Sequence, residues 1–335
     1  MIRVSSSAAE FDSLRNVWDT FYNRLEKVSP FQSFAYCRAA LPLLSGNLHI
    51  VTWLRKGEIL AIFPFYVDSR RILRFINDSH SDFCGPLVMP EAEGDFHMCE
   101  EIAGHIRDCE EISGIRLENM RYDLFQTALQ YQLRGSFLYC YKQYSHFAVS
   151  MNHLSTKEKY RLKNIAARME REEARWCRFD ASCGDPWPEE LICSLTASMI
   201  AAGIRKKKYF SGSFLEFIRE IYESGAMMIS ATCIGDNPVS CNLCLKNGNE
   251  VIDWMAFYRE PHYNGWNLLS LIGWMQGNGF GTLNFARGIY PYKMHNYKPA
   301  VGSLGRLHWS KSFAGRLADT FECWVSQVKR MKRTR

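Results

Sequence analysis

The sequence predicts an α/β (α+β) protein built as two similar halves, each with helices leading into an antiparallel meander and then a further helix and strand. Three observations predict it. The chain is 335 residues long, and single cores stop growing beyond about 250–300 residues, so two domains are expected. Apolar residues recur at helical spacing in some windows and in short runs bounded by turn residues in others. The order of those windows in the first half returns in the second, without any repeat of the sequence itself.

Each half can be read element by element. "FDSLRNVWDTFYNRL" places Phe11, Leu14, Trp18, Phe21, Tyr22 and Leu25 at helical spacing. "QSFAYCRAAL" reads as a second helix that ends at Pro42. Three strand-like runs come next, "LHIVTWL", "ILAIFPFYV" and "ILRFIN", joined by the turns "RKGE" and "DSRR". A polar segment, "NDSHSDFCGP", precedes a helix near Phe96 to Asp108 and a strand, "GIRLENM". The second half opens on "STKEKYRLKNIAARMEREEARW", a long basic helix with a capping box at Ser155 and Glu158. "ELICSLTASMIAA" and "GSFLEFIREIYES" are two more helices. The meander "AMMISATCIG", "VSCNLCLK", "EVIDWMAFY" leads to the helix "NGWNLLSLIGWMQGN" and the strand "GTLNFA". The predicted domain break falls between residues 148 and 149, giving domains 1–148 and 149–335.

Composition excludes several classes. Hydrophobic residues are 47% and charged residues 23%, ordinary for a soluble globular chain and unlike a disordered or fibrous one. The longest strongly apolar run, Ile59 to Val67, is too short for a bilayer and contains a proline. The first residues lack the apolar core and cleavage site of a signal peptide. Twelve cysteines without framework spacing read as buried thiols of a reducing compartment, and a cytoplasmic location is expected. The net charge of +6 is local: "KRMKRTR" at the C-terminus carries five basic residues and no acid, which leaves +1 (6 − 5) for the rest. Such a tail is a solvated terminus first, and a contact for anionic lipid or an acidic partner second. No broad basic excess demands nucleic acid. Lys and Arg of the helix from Lys157 to Arg175 alternate with Glu158, Glu170, Glu172 and Glu173, as on a solvated face. Cys241 and Cys244 form a CxxC within a strand-like run and lack the second pair of a zinc tetrad, so no metal is expected.

The chemistry concentrates in the last meander and the helix, strand and turn after it. A strand, a crossover helix and a second, parallel strand form a βαβ-like unit. Where the strands splay, a cleft opens at the helix N-terminus, whose unpaired amides suit a pyrophosphate. Asn264 is the expected N-cap, and Gly265 lets backbone approach a ligand or simply starts the helix. After the second strand, "FARGIYPYKMHNYKP" is too long and too aromatic for a plain connector.

This order of elements resembles the GNAT acyltransferase fold, doubled as in the FemABX peptidyltransferases. The residues "HYNGWNLL" and "FARGIYPYK", with Arg287, Gly288, Pro291, Tyr292 and Lys293, are similar to those of CelD/BcsL-type acetyltransferases of cellulose and exopolysaccharide clusters. The resemblance implies two tandem GNAT-like domains, an acceptor side in the first and an acyl-donor side in the second. It implies acyl-CoA as co-substrate, without a metal, and an amine acceptor such as an amino sugar or a lipid- or nucleotide-linked envelope or exopolysaccharide precursor. Tyr263, Asn264, Gly265, Trp266, Arg287 and Lys293 then face the donor; Asp78, Asp82 and Arg287 face the acceptor. The sequence departs where the family carries acids, with Asn284, Ile289 and Tyr290 in their places, and the phosphate loop with alternating glycines is absent. Two alternatives stand beside this one: a FemABX-like transferase using charged tRNA, or a non-catalytic partner in a polysaccharide assembly complex.

Transfer from a thioester to an amine needs a proton acceptor for the amine and a proton donor for the departing thiolate. Asp253 interrupts an apolar strand and is the candidate base, or else a hydrogen-bonded strand residue. Tyr292 is the candidate donor. Arg287 and Lys293 suit a phosphate or carboxylate, with surface salt bridges as the bland alternative. Asp78 and Asp82 are equally well explained by turn chemistry.

Overall fold

The computed structural model describes residues 1–26, 28–121, 124–135, 137–205, 212–288 and 290–333; Ile289 and the side chains of the basic run from Lys329 lie outside the described residues. In chain order the elements are β1 (Ile2–Ser5), α1 (Ala8–Ser13), α2 (Arg15–Arg24), α3 (Phe34–Ala39), β2 (Gly46–Leu48), β3 (Ile50–Arg55), β4 (Glu58–Phe63), β5 (Phe65–Asp68), β6 (Ile72–Phe75), β7 (Leu87–Val88), α4 (Phe96–Asp108), β8 (Gly114–Arg121), α5 (Leu124–Gln132) and β9 (Phe137–Ala148). Then come α6 (Thr156–Arg171), β10 (Ala174–Asp180), α7 (Glu189–Ala201), α8 (Gly212–Glu223), β11 (Met227–Ile234), β12 (Asn237–Asn247), β13 (Glu250–Tyr258), α9 (Pro261–Gly277), β14 (Thr282–Asn284), α10 (Pro291–Asn296), β15 (Ala300–Ser310) and α11 (Phe313–Arg333). No helix among the described residues is long and apolar enough to cross a membrane.

The chain divides into two compact units, residues 1–142 with 303–335, and residues 143–302. The sequence leaves residues 303–335 with the second half. They return to the first because β15 pairs antiparallel with β8 from Leu304↔Arg121 to Ser310↔Gly114, a long-range ladder that no local pattern announces.

In the first unit, two expected strands each prove to be two. "LHIVTWL" breaks at His49 and "ILAIFPFYV" at Pro64, so that β3 and β4 pair in one ladder while β2 and β5 pair in another. Pro64 has no N–H to donate, and the ladder cannot run through it unbroken. The helix expected from Phe96 to Asp108 is found there as α4. Asp95 caps it by accepting from the amides of His97 and Met98, and it buries Met98, Cys99, Ile102, Ala103 and Ile106 at helical spacing. β6 and β8, on either side of α4 in sequence, pair in parallel.

At the break between β2 and β3, His49 is buried with its Nε2 2.8 Å from Nε2 of His105 on α4. Burial first, and His105 second, pull its pKa from the ordinary 6.5 down to about 4. The unfolded chain therefore takes up this proton near pH 6.5 and the folded one only near 4, so stability is lost as pH falls through that window. The full shift is worth roughly 3 kcal/mol. Urea unfolding of wild type and His49→Gln at neutral and acidic pH should show the variant losing less stability on acidification. Identical losses would remove His49 as the cause.

The second unit carries the order β10-β11-β12-β13-β14, antiparallel except for the parallel pair β13 and β14. α6 stops at Arg171 rather than running on to Trp176, because Glu173 takes a positive φ of 54° and the chain re-emerges as β10 against β11. Its start is as expected: Ser155 Oγ accepts from the Glu158 amide, and the Glu158 carboxylate accepts from the Ser155 amide. Leu268, Leu271, Ile272 and Met275 of α9 pack on Met228, Cys244 and Val251 of the sheet and on Leu162 of α6. Cys241 and Cys244 are both buried in β12.

Candidate functional site

β13 and β14 pair only at Glu250↔Thr282, Val251↔Leu283 and Ile252↔Asn284. β13 continues from Asp253 to Tyr258 with β12 on one side and no described strand on the other. This is the splay expected of the βαβ unit. A bulge at the Leu243/Cys244 step sets Asp253 opposite Cys244 and Met255 opposite Leu243, so Trp254 is the extra residue. The open edge begins at that bulge.

Asp253 ends a buried chain of hydrogen bonds across the sheet. Trp176 Nε1 donates to Ser230 Oγ (2.9 Å), Ser230 Oγ to Asn267 Oδ1 (2.9 Å), Asn267 Nδ2 to Asn242 Oδ1 (2.7 Å), and Asn242 Nδ2 to Asp253 Oδ1 (2.6 Å). Every donor points along the chain toward the carboxylate. Thr232 Oγ1 also reaches Asn267 Oδ1, and Asn267 Nδ2 also reaches the Ser230 carbonyl. Burial raises the Asp253 pKa above the ordinary aspartate value; the Lys293 cation and the Asn242 bond pull the other way. The carboxyl is thus more basic than a solvated one. The sequence reading missed Asn267, Asn242, Ser230 and Thr232. Their signal was present, since each of three successive apolar strands carries a polar residue amid Val, Ile, Leu and Met.

The segment after β14 folds back beside this carboxyl. Asn284 Oδ1 accepts from the Ala286 amide (2.8 Å) and Asn284 Nδ2 donates to Glu250 (3.0 Å). Asn284 therefore pins the turn at Ala286, whose φ is 54°. Gly288 takes φ 119°, and a Cβ there would meet the Tyr290 ring at 2.5 Å. Pro291 opens α10. Lys293 is buried rather than an exposed cation: its Nζ donates to the Phe285 carbonyl (2.6 Å) and lies 4.9 Å from the centroid of the Tyr290 ring. Its charge acts on Asp253. Tyr297 is buried and donates to the Gly265 carbonyl (3.2 Å), joining this segment to α9. Tyr292 is half-buried within electrostatic reach of Asp253, Tyr258, Tyr290 and Tyr297. Its hydroxyl makes no hydrogen bond among the described residues, and burial, with Asp253 next, holds its pKa far above the ordinary tyrosine value. It stays a neutral proton donor. Arg287 is half-buried in the same segment, and Tyr290 is exposed.

The entry to α9 differs from expectation. Glu260 is the N-cap and Pro261 the first helical residue, which places Asn264 inside the helix. Glu260 pairs with His262 at 3.2 Å, and Glu172 acts on Tyr263. Glu260 and a proline nitrogen without hydrogen oppose a phosphate at this terminus, while Glu172 is held by Arg168 at 2.8 Å. Gly265 serves packing: a Cβ there would stand 3.2 Å from Ile165 Cδ1 of α6. Trp266 is half-exposed. Asn264 Oδ1 and His262 Nε2 are buried without a hydrogen-bond partner among the described residues.

In the first unit, Asp78 and Asp82 are buried. Arg74 bridges Asp78 (3.1 Å) and Asp68 (2.9 Å). Asn119 Nδ2 clasps the loop by donating to the carbonyls of Asp78 and Ser81 (3.1 and 2.9 Å), and Ser81 Oγ donates to the Tyr36 hydroxyl (3.1 Å). Burial raises the Asp78 pKa while Arg74 lowers it. These bonds tie Asp78 to Arg74 and hold the loop to β8 and α3.

No family model matches the chain, and no curated protein matches it. Solved structures do. The C-terminal domain of a protein named as a lysylphosphatidylglycerol synthetase of Agrobacterium fabrum superposes with a TM-score of 0.63 at 10% identity, covering 94% of this chain and 97% of that one. FemX gives 0.61 at 8% identity over 88% and 96%. A tandem GNAT protein of the clavulanic acid biosynthesis pathway gives 0.50 at 8% over 92% and 98%. At these identities the likeness is one of fold: the chain has a mixed α/β fold of the GNAT type, with antiparallel and mixed sheets flanked by helices.

Proposed function

We propose that the chain is an N-acyltransferase of the CelD/BcsL kind, moving an acyl group from acyl-CoA to an amine on an amino sugar or an envelope polysaccharide precursor. The observation that carries this reading is the opening between β13 and β14. There a buried carboxyl of raised basicity, Asp253, stands near Tyr292, a phenol with no hydrogen-bond partner among the described residues. The open edge of β13 offers backbone N–H and C=O groups to the amides of an extended donor. Asp253 takes the amine proton, directly or through water, as nitrogen attacks the thioester carbon. Tyr292 gives its proton to the departing sulfur, so that amide and free thiol leave the site. Lys293 tempers the basicity of Asp253 and fixes the Phe285 carbonyl.

Calorimetric titration with acetyl-CoA, longer acyl-CoAs and free CoA tests the donor. Saturable binding, weakened several-fold by Arg287→Ala, is expected. A folded protein that binds none of them sinks the acyl-CoA reading.

A second reading, aminoacyl transfer from charged tRNA, has its own observation. On α6, Glu158 is engaged by Lys298 at 2.9 Å and Glu172 by Arg168 at 2.8 Å, whereas Lys157, Lys159, Arg161 and Lys163 are exposed. The exposed cations of the first turns of α6 are therefore not offset by Glu158 or Glu172. Competition of tRNA with the acyl donor separates the readings.

A further inference from the structure

Helix α11 shows two unlike faces. One is anchored. Asp319, 3% exposed, accepts from Ser310 Oγ at 2.7 Å and lies 3.5 Å from Arg116, which also reaches Glu322 at 3.1 Å. Cys323, one turn further, is buried. Arg316 donates to the carbonyls of Ser310 and Lys311 (both 3.1 Å). Away from that face, Phe313, Leu317, Phe321 and Trp324 are 74%, 56%, 65% and 59% exposed. At about 100° per residue these positions share a sector roughly 80° wide. The Phe321 and Trp324 rings lie 6.2 Å apart, forming a continuous apolar surface. Beyond Glu322 the sequence has no acid, and the last turns of the helix carry Lys329, Arg330, Lys332 and Arg333.

We propose that α11 is an interfacial anchor that lies in the plane of an anionic bilayer, its aromatic stripe in the headgroup–acyl boundary and its basic turns among the phosphates. A long apolar stripe followed by a polybasic end is what such a surface takes up, and neither signal alone suffices for stable attachment. Charge decides against a second copy of the chain. The acids of α11, Asp319 and Glu322, are engaged by Arg116, which leaves none in the helix to receive the basic end of a partner helix. Such attachment does not depend on acyl transfer at Asp253 and Tyr292.

The test is co-sedimentation of the full chain with vesicles of phosphatidylcholine alone and with about 30% phosphatidylglycerol. Binding to the anionic vesicles is expected, about tenfold or more tighter than to neutral ones and weakened by about 0.5 M salt. The double variant Phe321→Glu/Trp324→Glu, shown by its melting curve to be folded, should lose it. Lys329→Gln/Lys332→Gln should lose only the preference for anionic lipid. No binding of the wild-type chain, or equal binding by the double glutamate variant, overturns the proposal. So does a concentration-dependent dimer that disappears in that variant, since the stripe would then cover a second copy.

Discussion

Replacing Asn267 with alanine is expected to cost the protein about 3–4 kcal/mol of stability, with its urea midpoint falling while the denaturant slope is kept. Asn267 is fully buried on the face of α9 turned to the sheet, and its side chain is the middle link from Trp176 to Asp253. Alanine strands the Asn242 Oδ1 and the Ser230 and Thr232 hydroxyls without their partner, and leaves a hole too lined with polar atoms to collapse dry. Each stranded group costs of the order of 1 kcal/mol or more. Asn278 provides the control: it is exposed, its Nδ2 donates only to the Trp274 carbonyl at the helix end, and Asn278→Ala should cost under about 0.5 kcal/mol. A loss below about 1 kcal/mol for Asn267→Ala would mean that water replaces the amide and that the chain of bonds does not hold α9 to the sheet.

Tyr292→Phe should lower kcat about a hundredfold or more while leaving donor affinity and stability nearly unchanged. The phenol makes no hydrogen bond among the described residues, so its removal breaks no structural contact there, and the ring still packs where it did. The role assigned to it is proton delivery to sulfur, and that has a separate signature. Acyl thioesters of more acidic thiols need less help to leave, so the gap between wild type and Tyr292→Phe should narrow with them. A gap that stays constant across leaving groups would make Tyr292 a positioning residue. An unchanged kcat would remove it from the reaction.

Much of the architecture was open to reading. The meander of the second unit, the helix after it and the parallel return at Thr282 derive from short apolar runs bounded by turn residues and a strong apolar helix, all of which are local. α4 was readable to the residue because its cap and its buried positions are neighbours in sequence. Failures had physical sources. Pro64 looks apolar within an apolar run, yet it divides the run between two ladders. Asn264 has the chemistry of a cap, but Pro261 starts the helix a turn earlier. Asp78 and Asp82 were placed in a polar loop by sequence, and only the structure shows Arg74 pairing with Asp78 and Asn119 holding that loop down.

Local sequence was enough for the alternation of helices and meanders and for the splayed βαβ unit, and it drew attention to Asp253 and Tyr292, on which the chemistry is proposed to turn. The surroundings of those residues came from tertiary contacts alone. These turned Lys293 inward to act on Asp253, connected Asp253 through Asn242, Asn267 and Ser230 to Trp176, and committed Gly265 to packing against Ile165. They also returned residues 303–335 to the first unit. The reason is common to all four: periodicity and turn chemistry act between neighbours in the chain, whereas burial, and the hydrogen bonds and charges that make burial of polar groups tolerable, are set by partners far apart in it.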